Sequence, residues 1–191
     1  MLDELITTRV TSLIPLNDVV ESIDQDNVIE AIRLANDTLQ AAGVSRPRIG
    51  VAALNPHAGD NGNFGTEEID ILAPAIDSAR EMQIDVDGPW PSDTVFLKGR
   101  DGLLDAVVTM YHDQGQIAMK LMGFERGVTI AGGLPIPVAT PAHGTAFDME
   151  NLDCKLIITD DSDNVWINYV PVNISGPQPV SYTHLRAHET E

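Results

Sequence analysis

Apolar positions along this chain alternate between a helical and a strand-like period. Val28, Ile32, Ala35 and Leu39 share one face of a helix predicted over residues 26–42, with Asp24 and Asp26 as candidate N-caps and Gly43 as its stop. Residues 48–54 form a short apolar run that ends in a loop over residues 55–65 rich in Gly and Asn. A second helical pattern follows on Ile69, Leu72, Ile76 and Ala79, and Pro74 inside it predicts a kink or an early break. Asp87, Gly88, Pro89, Trp90 and Pro91 read as a turn, after which Ser92 or Asp93 could cap a short helix. Residues 103–110 predict a second buried strand, 116–121 a short helix and 127–131 a third strand. Strand, loop and helix repeated in this way predict an α/β fold with a largely parallel sheet and flanking helices.

Beyond Asp148 the pattern changes. Residues 149–175 mix Asp-rich turns with short β-like runs at 156–159 and 165–170, with no amphipathic helix to close another β-α unit, so at most a hairpin is expected. The last stretch, Val180-Ser181-Tyr182-Thr183-His184-Leu185-Arg186-Ala187-His188-Glu189-Thr190, resembles the conceptual translation of a sequencing adapter, in which case His184 and His188 are not ligands; the alternative is a disordered native tail. The expected organisation is a folded portion over 1–148, a divergent segment over 149–179 and a non-native tail over 180–191.

Composition narrows the function classes. With 191 residues and 43% apolar content the chain can bury one sizeable core, and a formal net charge of −18 disfavours nucleic acid and anionic membrane surfaces as partners. Lys and Arg total only 11, so a cation beside a motif is informative. The single cysteine, Cys154, forms no internal disulfide and no C-x-x-C pair exists, and neither an export signal nor a spanning segment is visible; a reducing cytoplasm is the expected compartment.

Three histidines sit in turns that follow apolar runs: His57 in Asn55-Pro56-His57-Ala58-Gly59, His112 in Tyr111-His112-Asp113-Gln114-Gly115, and His143 in Pro141-Ala142-His143-Gly144-Thr145. Side chains in βα turns project at the carboxyl edge of a sheet, where open α/β folds collect ligands. His57, framed by Pro56, Gly59, Gly62 and Gly65, is suited to present an imidazole to a metal or a phosphate, or serves simply as a turn residue. Asp93 and Asp113 could ligate or orient, and each also sits where a helix N-cap would. Lys120 falls about two turns into a helix running from Asp113, where an ammonium binds an anion, moves a proton or stays solvated. The Ala131-Gly132-Gly133-Leu134 turn and His143-Gly144-Thr145 offer backbone N–H groups to a phosphate, but no G-x-G-x-x-G follows a strand.

At these residues a resemblance becomes specific. Leu54-Asn55-Pro56-His57-Ala58-Gly59, Gly65-Thr66-Glu67-Glu68-Ile69, Gly88-Pro89-Trp90-Pro91-Ser92-Asp93-Thr94, Met110-Tyr111-His112-Asp113-Gln114-Gly115 and His143-Gly144-Thr145-Ala146 resemble, in order, the 4-hydroxythreonine-4-phosphate dehydrogenase family. The resemblance implies an isocitrate/isopropylmalate-dehydrogenase-like fold, of which this chain carries the C-terminal portion. It further implies a homodimer with its site between subunits, NAD as oxidant, and a divalent metal (zinc, manganese, magnesium or cobalt) held by histidines of both chains. The implied reaction oxidises the secondary alcohol of a phosphorylated hydroxy acid, and the β-keto acid formed loses carbon dioxide. By the same resemblance His57 and His112 are metal ligands, and Asp93, Asp113 and Lys120 are catalytic, with Lys120 also on the substrate. Thr129 stands at a substrate-binding position, and His143, Gly144 and Thr145 lie near the dinucleotide.

The departures from the family pattern are as informative. A third metal-binding histidine of the family stands where this chain has Leu13, and a leucine cannot donate to a metal. Thr129 and Val138 occupy the places of an asparagine and an arginine that hold substrate, while the run Gln116-Ile117-Ala118-Met119-Lys120-Leu121 resembles the branch acting on phosphothreonate or dihydrodiols. The alternative expectation is a remnant that folds or dimerises without activity.

Overall fold

The computed structural model describes residues 5–123, 128–131, 138–141, 152–159 and 165–172. Four strands, β1 (Ile6–Arg9), β2 (Ile49–Ala52), β3 (Val86–Trp90) and β4 (Ala106–Thr109), form an all-parallel sheet in the order β1-β4-β2-β3. The two inner strands, β2 and β4, are buried at every position. A strand covered on both faces has no solvated side, and this is why both appear in the sequence as unbroken apolar runs.

Helices α1 (Gln25–Ala41) and α2 (Ala73–Glu81) cover one face, packing Val28, Ile32, Ala75 and Ile76 on Ile6, Ile49, Val51 and Val108. Helices α3 (Ser92–Arg100) and α4 (His112–Gly123) cover the other, where Val95, Phe96 and Met119 meet Leu5, Ala52 and Val107. The α/β architecture with a parallel sheet and flanking helices is therefore the one the chain forms. Full burial of a branched aliphatic side chain contributes roughly 1.5–3 kcal/mol, and Ile32, Val51, Ile76 and Val108 are all fully buried.

Local chemistry sets the helix ends. The Asp24 carboxylate accepts from the Asn27 N–H at 2.8 Å and caps α1, and Gly43, at φ 92°, takes the left-handed conformation that closes it. Pro74 marks the predicted break: residues Glu68–Leu72 wind as a π-helical turn, and a regular α-helix starts at Ala73 with the proline in its first turn.

The segment expected to turn at residues 87–91 is instead strand β3, paired with β2 through a register shift between Gly50 and Ala52. β3 is an edge strand, where proline costs no ladder hydrogen bond. Gly88, at φ 139°, lets its backbone approach so closely that a Cβ there would sit 2.7 Å from the Val51 carbonyl oxygen. Ser92 and Asp93 do not cap α3, whose N-terminus at Pro91 has no side-chain cap. The helix expected at 116–121 begins earlier, at His112.

The strand expected at 127–131 forms as β5 (Val128–Ala131), paired antiparallel with β6 (Val138–Pro141). β7 (Leu152–Thr159) and β8 (Val165–Val172) make the expected antiparallel hairpin. Among the described residues no helix is long and apolar enough to cross a membrane.

At the amino end of the sheet Arg48 grips Asp105. Its Nη2 and Nε reach the two carboxylate oxygens at 2.7 and 3.0 Å, and its backbone N–H adds a bond of 2.7 Å. These hydrogen bonds hold the Asp105 carboxyl below its ordinary value of 3.8. A depressed folded value adds stability that is present above the ordinary value and is lost as pH falls through the folded one. Denaturant unfolding at neutral pH and near pH 3 is expected to show a smaller acid loss in Asp105→Asn than in the unmodified chain. Equal losses would remove this pair from the account.

Candidate active site at the carboxyl edge of the sheet

The carboxyl ends of all four parallel strands open on the same edge, and the loops leaving them carry the predicted residues. Leu13 follows β1, His57 follows β2, Asp93 follows β3, and His112 and Asp113 follow β4. Because β1, β4 and β2 are consecutive in the sheet, Leu13, His112 and His57 belong to three neighbouring strand ends.

His57 opens an unusual turn. His57, Ala58, Gly59, Asp60 and Asn61 all have φ between 43° and 77°, a left-handed run in which only one residue is glycine. Each non-glycine residue in that region costs roughly 1–2 kcal/mol, less for Asn and Asp, so the conformation must be held from outside. At the entry to the turn Glu68, buried in the π-helical turn, anchors Asn55: its carboxylate accepts from the Asn55 N–H at 2.7 Å and from Asn55 Nδ2 at 3.0 Å. Glu67 takes the same amide at 2.6 Å. Gly59 lies so near Glu68 that a Cβ would come within 2.7 Å of Oε2. The exposed His57 ring leans on Phe64, with centroids 6.1 Å apart.

His112 starts α4, and its Nδ1 bonds the Asp113 carboxylate at 2.6 Å. That contact engages Nδ1 and leaves Nε2 as the ring nitrogen outside it, the kind of contact by which a carboxylate orients an imidazole. Asp113 stands inside the first turn of α4, past the N-cap position, and contacts the ring of its neighbour His112. The His112 side chain is 43% exposed, which leaves the ring within reach of a small ligand. Asp93 is exposed in the first turn of α3, and Lys120 is exposed in the later part of α4. Thr129 is exposed on β5, opposite Thr140. His143, Gly144 and Thr145 lie outside the described residues.

By chemistry alone, two imidazoles, one of them in contact with a carboxylate, are donors of the type a divalent ion takes. Leu13, 94% exposed at the third strand end, supplies no donor. Among the described residues no three His, Cys, Asp or Glu side chains gather into a site by themselves.

Two groups at this edge gave no signal as pattern. Gln114 bonds the segments that follow three different strands, although in the sequence it is only one letter of the His112 motif. Arg9 ends β1 half-buried, and desolvation lowers the pKa of its guanidinium while leaving it charged. No apolar periodicity marks a cation at the last position of a four-residue edge strand, so only the structure places it here.

Comparison with known proteins gives the same outline. The model of the family described as pyridoxal phosphate biosynthetic protein PdxA matches residues 1–153. A Pseudomonas aeruginosa protein with the provisional name 4-hydroxythreonine-4-phosphate dehydrogenase 2 is 64% identical over 151 residues, covering 78% of this chain and 45% of the relative. D-threonate 4-phosphate dehydrogenase of Pectobacterium atrosepticum is 46% identical, covering 77% of this chain and 45% of the relative. The crystal structure of 4-hydroxythreonine-4-phosphate dehydrogenase from Klebsiella pneumoniae superposes with a TM-score of 0.72 at 45% identity, covering 77% of this chain and 44% of that one. The chain spans less than half the length of these relatives. With the family model matched along four-fifths of this chain and a solved member superposing at a TM-score of 0.72, this chain belongs to the PdxA family.

Proposed function

We propose that this chain carries one half of the active site of an NAD-dependent, metal-assisted dehydrogenase acting on the secondary alcohol of a phosphorylated hydroxy acid. The observation behind this reading is that His57, Asp93 and His112 each stand just past the carboxyl end of a different strand of one parallel sheet. Relatives named for 4-hydroxythreonine 4-phosphate and for D-threonate 4-phosphate support the substrate class.

His57 and His112 would hold the divalent ion, and a second copy of the chain in a homodimer would complete the site. A metal there would lower the pKa of the substrate hydroxyl and polarise the ketone that follows. Asp113, bonded to Nδ1, would keep the His112 ring in one orientation, with Nε2 as the nitrogen offered to the ion. Asp93 would supply a carboxylate to take the hydroxyl proton, and NAD, when bound, would supply the acceptor for the hydride. Lys120 attracts the anionic substrate and can return a proton after carbon dioxide leaves the β-keto acid. Thr129, a hydroxyl on β5, adds a hydrogen-bonding group for the substrate, and His143, Gly144 and Thr145 would lie against the dinucleotide.

Formation of reduced nicotinamide from NAD is the direct assay, with manganese and either 4-hydroxythreonine 4-phosphate or D-threonate 4-phosphate. Turnover that falls at least a hundredfold in Asp93→Asn is the expected outcome, since a positioned general base contributes typically 10²–10⁴. Silence with both substrates, from a folded chain supplied with metal, would favour the non-catalytic alternative that the Leu13 departure suggests.

A further inference from the structure

We infer that Gln114 is a positioning residue of this site, a side chain that sets the segments bearing His57, Asp93 and His112 relative to one another. The inference rests on the functional reading above and assigns a role to a residue outside the candidate ligand and catalytic set. The Gln114 amide is used in full: Oε1 accepts the Met110 N–H at 2.7 Å, and Nε2 donates to the Ala53 carbonyl at 2.8 Å and to Ser92 Oγ at 3.0 Å. Ser92 Oγ in turn donates to the same Ala53 carbonyl at 2.7 Å. Since a backbone N–H can only donate and a carbonyl only accept, these partners allow a single orientation of the amide.

The three bonds reach three different strand ends. Met110 follows β4 and precedes His112, Ala53 follows β2 and precedes the His57 turn, and Ser92 immediately precedes Asp93. Gln114 itself is in the first turn of α4, two residues past His112, so any rotation of that turn strains all three contacts together. Ala53 also donates its N–H to the Trp90 carbonyl at 2.8 Å, which extends the lattice to the end of β3. A small polar network that is fully satisfied fixes geometry far better than exposed loops do by themselves.

Gln114→Glu separates this role from plain stability. A glutamate still accepts the Met110 N–H, but its second oxygen faces the Ala53 carbonyl and Ser92 Oγ with nothing to donate to the carbonyl. Cobalt(II) serves as probe, titrated by visible absorption well below the unfolding temperature of each variant. In Gln114→Glu the cobalt dissociation constant is expected to rise about tenfold or more, as for supporting residues around metal ligands, with a changed ligand-field band. Ser92→Ala, which removes one leg and keeps the amide, is expected to weaken binding by less and serves if the glutamate variant does not fold. A merely structural Gln114 would lower the unfolding temperature and leave the cobalt constant and spectrum unmoved, which would overturn the inference. Failure of the unmodified chain to bind cobalt at all would instead remove the functional reading, and the positioning role with it.

Discussion

Replacing Leu13 by histidine is expected to tighten zinc binding by roughly ten- to a hundredfold, a change at least as large as that from altering supporting residues around a metal. Leu13 leaves β1, the strand beside β4, and β4 lies beside β2, so the substitution places a third imidazole on the strand end next to those that carry His112 and His57. Leu13 is 94% exposed, so removing it takes nothing from the core and the variant should fold as well as its parent. An imidazole donates where an alkyl group cannot, and a third nitrogen brings the donor set to the number found in catalytic zinc sites. Leu13→Ala, which changes the apolar surface and adds no donor, should leave the affinity where it was. Calorimetric titration of the three proteins decides the matter, and equal zinc affinities for Leu13→His and its parent would contradict this placement.

Gly88→Ala is expected to be the most damaging single methyl that can be added to the sheet, costing roughly 2–5 kcal/mol from a left-handed φ and a backbone collision together. The conformation at φ 139° is one that an alanine rarely adopts. Its Cβ would lie 2.7 Å from the Val51 oxygen and 3.3 Å from the Trp90 nitrogen, backbone atoms of β2 and β3 that cannot move aside as a flexible side chain would. The pairing that positions Trp90, Ser92 and Asp93 would loosen as a result. Chemical denaturation should show the loss directly. By contrast, Gly102→Ala has open space for its Cβ and carries only the penalty of its φ of 72°. Similar losses at the two positions would mean that the close approach at Gly88 has no energetic weight.

Much of this fold was legible because the forces that build it leave a period in the sequence. Val28, Ile32, Ala35 and Leu39 define α1 by spacing alone, and the buried runs of β2 and β4 stand out because both faces of those strands are covered. β3 was hidden for a physical reason. Its Gly88 and Pro89 are turn formers by local propensity, and only its place at the sheet edge and the close contact with Val51 turn them into a strand. β1 is a four-residue edge strand containing Thr7, Thr8 and Arg9, too short and too polar to show a period.

The site divides along the same line. His57 and His112 were legible because each is a rare residue type in a turn that follows an apolar run, the mark of a strand end in an α/β fold. The role of Gln114 depends on Ala53 and Ser92, which are 61 and 22 residues away, and no local pattern encodes bonds of that span. Glu68 stands inside a motif, but its bonds to Asn55 at the entry of a left-handed turn leave no mark in the local pattern. Ser92 showed as a cap candidate, since a hydroxyl before a helix usually caps it. Here the Ala53 carbonyl competes for that hydroxyl and wins.

The claim on which the rest depends is that His57 and His112 together hold one divalent ion. Zinc titration by calorimetry of the unmodified chain and of a His57→Ala, His112→Ala double variant tests it most directly. A saturable uptake in the first, absent in the second while its helical circular dichroism is retained, is the predicted result. Uptake that is the same in both proteins, or absent from the unmodified chain, would contradict it.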